Sequence, residues 1–208
     1  MGLSLPDITL NQVLLRLGAA LICLAVYGFA SALLARWAGD RGPSYDGRLT
    51  ASPFSHLDVV GLLAAIFFRV TWIRPLGIDT REFKRPLVGA LLVVVGGSVA
   101  LLMLALITLY LRPLVLRALS SNAGFTAAAL LDNTFEVAVA TAVLNLVPLP
   151  PLQAGTIWGV LGEGPRELAA RPATRVAGTV LIAAVLVSGI TAPSFALLWR
   201  TVRALAGF

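Results

Sequence analysis

The side chains in this chain that could do chemistry are few and widely spaced. His56 is the only histidine, with Asp58 two residues on, a pair that could serve as a metal ligand or a proton relay. One histidine cannot build a zinc site, so the expected role of the pair is to fix a loop. Glu136 sits in an apolar stretch four residues past Asp132, and an acid inside a membrane helix is a functional candidate by default. Placed near the outer end of its helix, it is expected to be a tolerated interfacial acid. Arg69 interrupts another apolar run and is expected to pair with a loop carboxylate or to reach the headgroups. Cys23 is the sole cysteine, which excludes an intrachain disulfide and a cysteine metal cluster and leaves it as a small apolar residue.

The elements that must position these residues are membrane helices. Of 208 residues, 58% are hydrophobic and 12% charged, and the mean hydropathy is +0.90. A water-soluble domain with that balance would expose large apolar patches. The bilayer is the expected solvent, and helices satisfy their own backbone there. Apolar stretches predict spans at about 11–38, 86–111, 125–147 and 176–199 within a single domain covering 1–208. A shorter run, 57–73, carries Arg69 and reads as a re-entrant segment or a fifth short span. The start, Met1 to Gln12, has no basic run before its apolar stretch, so the first helix is expected to stay in the mature protein.

The net charge of +6 comes from fifteen Arg and one Lys. If 57–73 enters and leaves on one side, Arg36, Arg41, Arg48, Arg74, Arg81, Lys84, Arg85, Arg166, Arg171 and Arg175 share one face, against Arg16, Arg112, Arg117, Arg200 and Arg203. That ten-to-five bias favours a re-entrant hairpin with the N-terminus outside. No basic run is interleaved with stacking aromatics, so nucleic acid is not an expected partner.

Three stretches resemble the compact bacterial branch of the site-2 proteases, intramembrane zinc metallopeptidases. Gly47 to Gly61 reads GRLTASPFSHLDVVG, close to that family's Gly-Arg-x-Thr-x-Asn-Pro-x-x-His-x-Asp-Pro-x-Gly. Asn145 to Leu152 reads NLVPLPPL, matching Asn-x-x-Pro-x-Pro-Pro-Leu, and Gly39-Asp40 sits where the family has a Gly-Asp after its zinc-binding His-Glu-x-x-His. The resemblance implies that two histidines one turn apart, a glutamate general base between them and a distant aspartate should surround zinc. Those positions fall here on Tyr27, Gly28, Ser31 and Gln153. A further family element, Ala-Gly-Pro-x-x-Asn, falls on Val95-Gly96-Gly97-Ser98-Val99-Ala100.

The chain is therefore expected to be an all-α integral membrane protein with a site-2-protease-like helical core, about four transmembrane helices and one short re-entrant or fifth segment. Sequence alone predicts no catalytic residue, no metal and no cofactor. It predicts a catalytically inactive relative, not an enzyme, acting as a scaffold or accessory subunit in a bacterial inner membrane. The expected partner is another integral membrane protein or multisubunit complex, besides the bilayer itself. Asn145, Pro148, Pro150 and Pro151 are the candidates for a groove that holds it, since these prolines cannot donate backbone bonds and keep the chain extended. Arg48, His56 and Asp58 form the loop motif. Gly155 and Gly159 are a small-xxx-small pair that could bring helices together. A peptidase with unrecognised ligands and a small transporter using Glu136 are the alternatives.

Overall fold

The computed structural model describes residues 8–207, so the expectation about the start of the chain falls largely outside the described residues. Among these, the chain is helical, and the only β-type pairing is an isolated bridge. α1 (Leu10–Ala38) opens with a reciprocal cap: the Thr9 hydroxyl accepts from the Gln12 amide at 3.3 Å, and the Gln12 side chain accepts from the Thr9 amide at 3.2 Å. It ends at Gly39, whose φ of 129° and close approach to the Glu82 carbonyl leave no room for a side chain.

Two short turns follow, α2 (Gly42–Tyr45) and α3 (Pro53–His56), then the ten-residue α4 (Val59–Phe68). α4 is capped by the Asp58 carboxylate, which accepts from the Gly61 amide at 2.9 Å, and it stops at Arg69, the one non-glycine residue at positive φ among those described. The chain then returns extended. Leu57 and Ile73 form an antiparallel bridge, and the Arg74 amide donates to the His56 carbonyl at 2.9 Å. Both ends of the 57–73 segment therefore lie side by side, with α4 as one arm of a hairpin.

α5 (Pro86–Ala118) and α6 (Ser121–Leu144) complete the scaffold and pack on each other and on α1. Their shared core holds Leu24, Tyr27, Leu101, Phe135 and Val139, all essentially inaccessible. The outer faces remain apolar: Val95, Val99 and Met103 on α5 are exposed. A helix apolar on every side needs a second apolar medium, and here that medium is lipid. Among the described residues α1, α5 and α6 are long and apolar enough to cross a bilayer, and a bent pair, α7 (Glu163–Ala170) with α8 (Pro172–Val187), could supply a fourth crossing. The molecule is an all-helical integral membrane protein.

Several boundaries differ from those read in the sequence. The stretch expected to be one span at 176–199 is broken into α8 and α9 (Ala192–Leu205). Gly189 at φ 73° and Pro193 in the first turn of α9 end one helix and begin the next. α5 runs on through Pro113 to Ala118, and α6 begins at Ser121, so the loop expected between them shrinks to Leu119 and Ser120. Gly155 and Gly159 do not join helices: they belong to a 3-10 segment, Gln153–Gly159, and make room for the Pro150 backbone and the Thr80 side chain.

Gly97 shows how tightly the scaffold is fitted. A Cβ there would lie 2.6 Å from the Tyr27 ring and 2.7 Å from the Ser31 hydroxyl. Gly97→Val should therefore lower stability by about 1–3 kcal/mol through overpacking, read from thermal melting in detergent. Gly164→Ala, which meets nothing within 4 Å on α7, should be neutral or slightly stabilising in the same assay.

Candidate functional site

The site develops where the hairpin leans on the middle of α1. Position 28 faces the His56 ring so closely that a Cβ would lie 2.1 Å from its Cγ. Only glycine fits. His56 is inaccessible, and its Nε2 lies 2.9 Å from the Thr50 carbonyl oxygen, so Nε2 carries the proton and donates. Its Nδ1 is buried with no hydrogen-bond partner among the described residues. Burial pushes the imidazole below its ordinary range, with the Arg48 charge adding to this and the Thr50 bond opposing it.

The remaining loop-motif residues hold the returning strand. Arg48 donates to the Arg74 and Pro75 carbonyls at 3.2 and 3.1 Å. Asp40 accepts from the Gly42 amide at 2.7 Å and the Asp79 amide at 2.9 Å, tying the end of α1 to the far end of the extended segment. Arg48, His56 and Asp58 thus act on backbone groups.

Asn145 terminates α6 as a fully buried junction. Its side-chain amide donates to the Thr141 carbonyl at 2.9 Å and, weakly, to the Thr71 carbonyl at 3.5 Å. Its side-chain oxygen accepts from the Gln153 amide at 3.5 Å, and its backbone carbonyl accepts from the Ala154 amide at 3.3 Å. The Thr71 amide donates to the Thr141 hydroxyl at 3.0 Å. Helix end, hairpin strand and proline-rich turn are thereby locked in one hydrogen-bonded unit, where an unmet buried group would cost about 1–3 kcal/mol.

Pro150 and Pro151 are not freely open. Helix α8 seats Gly178 directly on the Pro150 carbonyl, and Gly155 packs on its backbone. Pro148 is engaged through its carbonyl, which accepts from the Trp158 ring N–H at 2.8 Å. What remains open beside the turn is a cleft of about 130 Å³ between Pro75–Ile78 and Pro150–Gln153, with Arg166 and Arg175 on its wall. Leu76, Gly77 and Ile78 make no backbone hydrogen bond among the described residues. Sequence reasoning singled out the proline turn and missed this facing loop, whose signal was the run Arg74-Pro75-Leu76-Gly77.

The positions that the resemblance assigns to zinc do not fit a zinc ion. Tyr27 and Ser31 face Gly97 together, and their hydroxyls lie near each other without full hydrogen-bond geometry. The Gln153 backbone amide is tied to the Asn145 side chain. These are neutral oxygens where imidazole and carboxylate are needed, and the His56 ring takes the place of any side chain at position 28. Among the described residues no group of three His, Cys, Asp or Glu could hold a metal ion.

No family model matches the chain, and no solved structure matches it. A curated relative does: the chain is 31% identical over 137 residues to the protein named Putative zinc metalloprotease YwhC of Bacillus subtilis (strain 168), an overlap of 64% of this chain and 62% of the relative. A site-2-protease-like relationship is thereby supported. The chain spans under two thirds of that relative. The expectation that the chain is not an enzyme is overturned by this comparison, because a relative named as a zinc metalloprotease points to a protease. The relationship rests on sequence similarity over 137 residues.

The two other charged candidates find each other. Arg69 donates to Glu136 at 2.8 Å, so its partner is a helix carboxylate and not one from a loop. Glu136 is mostly buried, its side chain 21% exposed.

Two measurements follow from the contact between positions 28 and 56. Gly28→Ala should destabilise by about 1–3 kcal/mol, and most of that loss should vanish when His56→Ala is added, a coupling read by a double-mutant cycle. Because the folded imidazole lies below its unfolded value near 6.5, the folded state binds fewer protons below that pH. Stability should be full above about pH 6.5 and fall as pH drops towards the folded value. The slope should disappear in His56→Ala.

Proposed function

We propose that this chain is a protease-like protein of the bacterial inner membrane that holds a polypeptide segment of another membrane protein in the cleft beside the proline turn. One observation carries the reading: the loop Leu76–Ile78, turned at Gly77 with φ 67° and with its backbone groups unpaired, faces a cleft walled by Pro150 to Gln153. Unpaired backbone groups next to a groove offer an incoming polypeptide main-chain bonds for affinity, with the flanking pocket giving selectivity. Prolines on the opposite wall cannot compete for those bonds.

The printed name of the relative supports a polypeptide as the ligand class, since a metalloprotease acts on peptide bonds. The partner in this reading is an integral membrane protein or a multisubunit membrane complex, because the cleft belongs to a chain embedded in lipid. Arg166 and Arg175 on the wall favour a segment carrying acidic residues.

The test is photocrosslinking. A photoreactive residue at Ala170, on the cleft lining, should label a membrane polypeptide in stoichiometric amount, whereas one at Val99, on the lipid face, should label lipid. Ile78→Pro, which removes one amide donor, should cut the yield about tenfold. Equal labelling from both positions, or a protein purified from mild detergent without any companion polypeptide, would sink the proposal. Incubating the captured partner with and without a chelator then reads hydrolysis separately from binding.

A further inference from the structure

A second cavity, distinct from the cleft, lies at the tip of the hairpin. It measures about 240 Å³, and its walls include Arg16, Phe68, Arg69, Leu186, Phe195 and Trp199. We propose that it binds a phosphate-type anion, held by Arg16 and Arg69, with the headgroup of an anionic phospholipid as the source its shape favours.

The charge count comes first. Arg16 lies within Coulombic range of both Arg69 and Glu136, and Arg69 is paired with Glu136 at 2.8 Å. Nearby, Asp132 is shared by Arg112 at 2.9 Å and Arg203 at 3.5 Å. This linked set holds four guanidinium groups and two carboxylates, an excess of two positive charges. Guanidinium groups beside hydrocarbon call for a counter-anion, because an unpaired charge at low dielectric costs several kcal/mol or more.

Both arginines are fixed in place. Arg16 is only 5% exposed, and one of its donors is used on the Ile66 carbonyl at the end of α4. A guanidinium has five N–H donors, so this leaves most of them for a ligand. Arg69 stands at φ 57°, and its guanidinium lies over the Trp199 ring, 5.8 Å from the centroid. Trp199 is itself held, its ring N–H donating to the Glu136 carbonyl at 2.9 Å. The left-handed backbone at Arg69 carries local strain, and it is the residue that turns the hairpin at the cavity wall.

Depth sets the source. α1 has 29 residues, about 44 Å of helix against a hydrocarbon core of about 30 Å. Centred, it protrudes about 7 Å on each side; Arg16, six residues from its first residue, then sits about 2 Å inside the boundary. Lipid phosphates lie at that level within reach of an arginine side chain, and the guanidinium fork matches two phosphate oxygens. Phe68, Leu186 and Phe195 line the rest of the cavity, an apolar wall suited to the upper part of an acyl chain.

The experiment uses the full chain in mild detergent, with native mass spectrometry and thermal melting. Added dioleoylphosphatidylglycerol should remain bound and raise the melting temperature by several degrees, and dioleoylphosphatidylcholine, whose choline offsets its phosphate, should do so much less. Inorganic phosphate is the second arm: stabilisation equal to that by phosphatidylglycerol assigns the site to a free anion, and a weaker effect assigns it to lipid. Arg16→Gln should weaken phosphatidylglycerol binding about tenfold or more, and Arg16→Lys should retain part of it. Arg69→Gln combined with Glu136→Gln removes the second guanidinium without leaving a buried carboxylate alone, and it should weaken binding likewise. Unchanged lipid affinity in both Gln variants, or no gain from either phosphatidylglycerol or phosphate in the wild type, would overturn the proposal.

Discussion

The imidazole of His56 rests on the bare backbone of Gly28, and much of the site's geometry follows from that contact. It brings the start of the hairpin against the middle of α1, where the His56 carbonyl can receive the Arg74 amide and close the hairpin. With the hairpin closed, the strand from Val70 to Ile78 has a defined course past the end of α6 and the proline turn. A larger residue at position 28 would force the ring out, and the strand that forms one side of the cleft would lose its anchor. The same contact fills the space beside α1 at position 28, so one packing decision shapes the cleft and leaves no room for a side chain there.

Non-helical backbone at membrane depth needs internal partners, because lipid offers none. Asn145 meets this need for three segments at once, and Arg48 and Asp40 meet it for the two ends of the extended segment. Leu76 to Ile78 stand out against this pattern. A protein that satisfies its irregular backbone so thoroughly elsewhere, yet leaves these loop groups unpaired beside a cleft, is well arranged to receive a chain there.

Charges follow a similar logic. Arg69 and Glu136 meet across 67 residues of sequence and neutralise each other where either alone would be costly. That pairing also removes the main support for a transport path, since a carboxylate already bound to a guanidinium is poorly placed to shuttle protons. The positive charge left over at Arg16 and around Asp132 lies towards the end of α1 that carries its N-terminus, where headgroups can approach it.

Residue types and their order were enough to establish the membrane solvent and the helical class. They located α1 and marked the 57–73 segment as unlike a full span. Those features depend on local composition and on hydropathy summed over a turn or more. The break at Ser188 to Thr191 was also readable, in Gly189 and Pro193, but the surrounding apolar run masked it. Tertiary structure alone decided that His56 occupies the place of a side chain at position 28, that Arg69 finds Glu136, and that α8 covers Pro150 while leaving Gly77 and Ile78 accessible. Each of these joins residues far apart in sequence, and the choice among possible partners is made by volume and burial when helices pack, which no local pattern encodes.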